Sequence, residues 1–220
     1  GKLEYRSHSK LPAAQTEQEN CVAHNGNIIP VPGRDIFVQA WYQGGLSIVD
    51  FTDSSNPTEI AYFDRGPIDG EHAVLGGYWS TYWYGGRIYG TEIVRGLDVL
   101  TLKPSDSLSE AEIAAAAMAN QGQVFNPQQQ FPVTWPNHPV VARAYVDQLQ
   151  RGQALPTATL TELTSALDQA TARVEAGAKD PQLAANVETL ARGLDTSDAT
   201  NARRLTALRD TLLGVATTLR

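Results

Sequence analysis

An internal repeat limits what this chain can fold into more than any local propensity does. Displaced by 51 residues, Ile36-Phe37-Val38 falls on Arg87-Ile88-Tyr89, and residues 45–51 fall on residues 96–102 with Gly45 and Gly96 in coincidence. Each copy reads as a short strand, a polar corner ending in glycine, and a second strand of alternating polarity. That is the pattern of a half-buried antiparallel hairpin. The first copy runs on through the turn cluster Asp53-Ser54-Ser55-Asn56-Pro57 into an outer strand over residues 58–63. The pattern predicts a four-stranded sheet per repeat, and sheets of that size recurring at roughly 40–50 residues mark β-propeller blades.

The expected fold class is therefore all-β, antiparallel propeller blades followed by a separate α-helical bundle, a multidomain chain running β then α. The boundaries are read as follows. Residues 1–20 supply a strand of a preceding blade, around Leu3-Glu4-Tyr5, and a polar linker. Residues 21–69 and 70–104 form two blades, the second being the last. A short helix and a Pro-rich linker occupy 105–139, and the bundle occupies 140–220.

The run Leu46-Ser47-Ile48-Val49-Asp50, followed by Asp53, Asn56 and Pro57, resembles the LVIVD repeat of bacterial and archaeal surface proteins. The stretches 20–26, 38–45 and 89–97 are similar to the last blades of secreted members of that family. The likeness covers about residues 1–150 and departs from the family in the second copy, at residues 98–104. It implies a β-propeller and a secreted, periplasmic or cell-surface location, and little about chemistry. The chain opens at Gly1 with no Met or apolar leader, which fits a targeting signal already removed.

Two blades cannot close a ring, since a propeller needs about four, and an open pair bares strand edges and a blade face. The expected partners are upstream blades of the same protein or a complementary chain. A surface protein or glycan is the expected ligand. No apolar run approaches the roughly 20 residues of a membrane span. Charge argues against nucleic acid: residues 1–137 carry 8 Lys and Arg against 15 Asp and Glu, residues 138–220 carry 9 against 9, and neither part shows a basic stripe.

Beyond Pro104 the polarity period becomes helical. Ser109 is placed to cap a helix through Met118 that Gly122 ends. Phe125, Phe131 and Trp135 are spaced to pin the linker to a sheet face. Further helices are punctuated by Gly152, a capping box from Thr159 to Glu162, Gly177 and Asp180-Pro181, with the last starting near Ser197. Seams at Leu160, Leu163, Leu167, Ala170 and Val174, and at Leu205, Leu208, Leu212, Val215 and Leu219, predict antiparallel packing.

For chemistry, Cys21 and His24 form a Cys-x-x-His pair, and the offset sets His72 on the blade position of Cys21. A thiolate and two imidazoles on innermost strands are ligands for a transition metal in a propeller channel, with His8 and carboxylates, which also suit calcium, as further donors. The competing reading is a buried cysteine and a hydrogen-bonded histidine. His24 is expected on an innermost strand facing the axis. The clusters Trp41-Tyr42 and Tyr78-Trp79, with Tyr82-Trp83-Tyr84, exceed what one buried face requires. Trp41, Tyr42, Trp79 and Trp83 are therefore candidates for a ligand platform, against the alternative of packing between blades. No nucleophile elbow, zinc-protease motif or phosphate-cradling loop is present. Asp50, Asp53, Glu71, Glu92 and Asp98 nominate no catalytic pair. Binding or scaffolding is thus the first reading, with a metal-dependent enzyme and a structural surface-layer component as rivals.

Overall fold

The computed structural model describes residues 1–122 and 132–220. The chain divides into two compact units, one containing residues 1–103 and the other residues 104–120 and 132–220.

The first unit holds two antiparallel sheets. Strands β1 (Gly26–Ile29), β2 (Ile36–Ala40), β3 (Leu46–Asp50) and β4 (Thr58–Phe63) pair in sequence order, as do β5 (Tyr78–Tyr84), β6 (Arg87–Glu92) and β7 (Gly96–Leu100). The repeat is carried in the hydrogen-bond register. Phe37 lies opposite Val49 in the first sheet, and their counterparts Ile88 and Leu100 lie opposite each other in the second. Gly45 and Gly96 enter the third strand of each set at φ +80° and +93°, a region that favours glycine. The copies differ at the first hairpin, where residues 30–35 are replaced by Gly85-Gly86, both at positive φ as a two-residue turn requires.

The sheets share a core of Ile29, Ile36, Val38, Ala40, Leu46, Ile48, Trp83 and Ile88, all buried. Across the seam Thr81 donates its hydroxyl to the Val38 carbonyl at 3.2 Å, and the Trp83 amide donates to Asn27 Oδ1 at 3.0 Å. A backbone pair between Tyr42 and Tyr78 ties the sheets at one end, N to O at 3.2 and 2.8 Å.

The propeller expectation is overturned. The sheets have four and three strands, and neither is part of a closed ring. The four strands expected per repeat are present in the first sheet alone: the second has three, and the chain beyond it enters the helix expected behind Ser109. Its Ser109-x-x-Glu112 box and alanine run satisfy the backbone locally, so no partner strand is needed. The strand expected around Leu3-Glu4-Tyr5 is also absent: residues 1–25 contain none, and Leu3 and Tyr5 are exposed.

The second unit holds α1 (Glu110–Ala117), α2 (Pro139–Arg151), α3 (Thr157–Glu175), α4 (Pro181–Gly193) and α5 (Ala202–Leu219). Leu163, Leu167 and Ala170 of α3 and all five seam positions of α5 are buried in one apolar core, with Leu160 and Val174 half-covering it. Each large side chain so buried contributes about 1.5–3 kcal/mol. Some boundaries differ from the sequence reading. Helix α3 starts at Thr157 behind Pro156, ahead of the Thr159 box, and α5 starts at Ala202 instead of near Ser197. Trp135 packs against the helical core, not a sheet; Phe125 and Phe131 lie outside the described residues. Among the described residues no helix is long and apolar enough to cross a membrane.

Candidate functional site: an aromatic corner at the sheet seam

The seam ends in a turn that sets side chains from both sheets beside one another. Tyr42, between β2 and β3, adopts φ +48°, a strained conformation for a tyrosine. Its backbone pair with Tyr78 holds it there. Gly77 makes the approach feasible: at φ +91°, a Cβ on it would sit 2.0 Å from the Tyr42 carbonyl carbon. Gln43, buried beneath, accepts from the Ile68 amide at 2.8 Å and donates to the Val74 carbonyl at 2.7 Å, fixing the loop that leads into β5.

Three rings meet above this turn. His24 lies 4.2 Å from Trp79 between ring centroids and 5.1 Å from Tyr42, and Tyr42 meets Trp79 edge-on at 6.0 Å. Such tilted and edge-to-face pairs each contribute about 0.5–1.5 kcal/mol beyond area burial. His24 Nδ1 is 2.5 Å from the Trp79 carbonyl oxygen. A carbonyl only accepts, so Nδ1 carries the proton; in the neutral tautomer that this contact selects, Nε2 is an acceptor. Trp79 remains 48 % exposed, which leaves an open indole face next to that acceptor.

The structure separates the candidates that the sequence grouped. His24 lies in the segment before β1, half-buried, and not on a strand. Cys21 is buried against Leu11 and Gly44; burial, and then the nearby Glu19 and Asp64 charges, push its thiol up, so it stays protonated. His72 is exposed, its ring 3.5 Å from Asp69. His8, also exposed, accompanies the Tyr5 hydroxyl at 3.1 Å. Among the described residues no three His, Cys, Asp or Glu side chains form a group able to hold a metal. Of the aromatic candidates, Tyr42 and Trp79 share the corner. Trp83 is wholly buried and Trp41 half-buried, and among the described residues the buried indole N–H of each meets no acceptor.

The carboxylates serve structure. Asp50 pairs with Arg34 at 2.6 Å, and Asp53 accepts from the Ser55 amide in its turn. Glu92, buried, accepts from the amides of Gly77, Val94 and Arg95. Asp98 accepts from the Tyr78 hydroxyl and from Arg65 at 2.7 Å, while Arg65 lies 5.0 Å over the Phe63 ring. Arg65 was not singled out by the sequence reading, because nothing in the sequence links it to Asp98. Glu71 lends its amide to Asp69. None of these places an acid opposite a base over a cavity.

No protein-family model, curated protein or solved structure matches this chain.

Proposed function

We propose that the sheet unit is a binding module that recognises a neutral saccharide at the His24, Tyr42 and Trp79 corner. The observation that carries this reading is the half-exposed Trp79 indole beside the His24 ring, whose Nδ1 is engaged by the Trp79 carbonyl. A pyranose presents an apolar C–H face that packs on an indole and hydroxyls that donate to a nitrogen acceptor. The rigid turn beneath, held by the Tyr42 and Tyr78 backbone pair, favours binding by lowering the ordering cost. The excess of acidic groups in residues 1–137 disfavours anionic glycans. A location outside the cytoplasm, implied by the LVIVD resemblance, belongs to the same proposal.

The test is a glycan array probed with the whole chain, followed by calorimetric titration of the best neutral oligosaccharide. Trp79→Ala is expected to reduce affinity at least tenfold, a loss of about 1.4 kcal/mol, and His24→Ala to weaken it further in the double variant. An array without neutral-glycan signal, or a Trp79→Ala chain that binds as well as the parent, rejects the reading.

A further inference from the structure

The first turn of α2 is closed by a side chain that titrates. Pro139 opens the helix with no backbone N–H to satisfy, and the amides of Val141 and Ala142 both reach the His138 carbonyl, at 3.0 and 3.2 Å. The Val140 amide is left over. It donates to His138 Nδ1 at 3.2 Å, with His138 in the extended backbone conformation of an N-cap residue. An imidazole nitrogen accepts only with its lone pair free, so Nδ1 is unprotonated and the neutral ring carries its proton on Nε2. His24, whose Nδ1 meets a carbonyl, holds the opposite tautomer.

The cap is built into the helical packing. Its neighbour Asn137 lies against the Gly214 backbone of α5, where an added Cβ would come within 2.1 Å of the Asn137 side chain. Helix α2 in turn packs on α1, α3 and α5 and buries Val141, Ala142, Tyr145, Val146 and Leu149 in the core. The half-buried ring feels two opposed effects. Glu175, at the end of α3, favours the proton, but burial outweighs it and holds the imidazole below its ordinary value. Around Val140 stand Glu110 of α1, Asp168 of α3, and Arg143 and Asp147 of α2, with Arg143 and Asp168 paired to each other. The first turn of α2 has no acidic residue, so the positive end of its dipole acts on the ring uncompensated from within the helix.

We propose that His138 is an acid-released cap, a pH-sensitive fastening of the helical unit. In the neutral ring the Nδ1 lone pair holds the Val140 amide. A proton taken up at Nδ1 turns that lone pair into an N–H bond, so two donors face each other at the positive end of α2 and the turn opens. The unfolded chain takes its proton first, near the ordinary value of about 6.5, so the unit is most stable above that pH and loosens as pH falls from there to the folded value. Asp147, whose carboxyl burial pushes up, works in the opposite direction and is common to the parent and the variants below.

Urea unfolding of the full chain, followed by far-ultraviolet circular dichroism between about pH 7.5 and about pH 5.5, tests this. The helical midpoint of the parent is expected to fall across that range, the folding constant dropping by no more than about tenfold per pH unit. His138→Asn supplies a capping oxygen that does not titrate, and its midpoint is expected to fall less than the parent's. His138→Ala, without a cap at any pH, is expected to start from a lower midpoint and to respond weakly to acid. Nitrogen NMR of the His138 ring in the parent, assigned through its sequential contacts, is expected to show the Nε2–H tautomer and a titration below about 6.5. Midpoints of the parent and His138→Asn that fall in parallel, or a ring that carries its proton on Nδ1 or titrates at or above about 6.5, would each overturn the proposal. The ring spectra are read on the parent alone and decide the matter if a variant fails to fold.

Discussion

Gly77 holds the tightest place in the sheet unit, where one added carbon meets the Tyr42 backbone instead of a side chain that could move aside. Gly77→Ala combines a left-handed strain with that clash. The substitution is expected to cost about 3 kcal/mol or more, read as a lower midpoint in chemical denaturation with Gly90→Ala as a side-chain-facing comparison. Asp50 sets an acid limit on the same unit. Burial raises its pKa, but hydrogen bonds from Thr52 and the Arg34 pair outweigh it and hold the carboxyl below its ordinary value. A depressed carboxyl stabilises the fold fully above its unfolded value of about 3.9, and the contribution is lost as pH falls through the folded value. Asp50→Asn is therefore expected to be less stable at neutral pH and to show a flatter stability curve between about pH 5 and 2. Parallel acid limbs for the two proteins would show that Asp50 contributes nothing there.

Helix punctuation separates signals that the chain uses from signals it ignores. Ser109 accepts from the Glu112 amide, and the buried Glu112 carboxylate returns a bond to the Ser109 amide and pairs with Arg151 at 2.9 Å. Ser109→Ala is expected to cost about 1 kcal/mol, and Thr159→Ala to stay within about 0.5 kcal/mol, because α3 has already begun at Thr157. Equal losses by thermal unfolding would contradict the assigned start. The strands of the repeat were legible because glycine position and alternation are local, and the register followed from them. The helical seams were legible for the same reason. The fourth strand expected of the second copy was misread because an offset transfers a pattern without saying how many strands each copy keeps, whereas the helix behind Ser109 was legible from its local cap. The aromatic corner was half legible. Tyr42 and Trp79 were grouped by abundance, but His24 was weighed only as a metal ligand or a hydrogen-bonded histidine and never joined to them, since only the fold brings a residue ahead of β1 against one in β5.

At the scale of the whole molecule, closure was the step that sequence could not decide. A repeat says which surfaces resemble each other, not how many units a chain supplies or what angle joins them. What the sheets do share is the turn at Tyr42, and it has an energetic meaning. His24 and Tyr42 belong to the first sheet's part of the chain and Trp79 to the second, so anything held among their rings touches both at once. Opening the seam would dismantle the site, and filling the site would therefore oppose opening. By linkage, a ligand at about 100 times its dissociation constant adds roughly 2.7 kcal/mol against that separation. If the corner holds the proposed saccharide, occupancy would thus oppose separation of the two sheets, and separation would weaken binding by the same linkage.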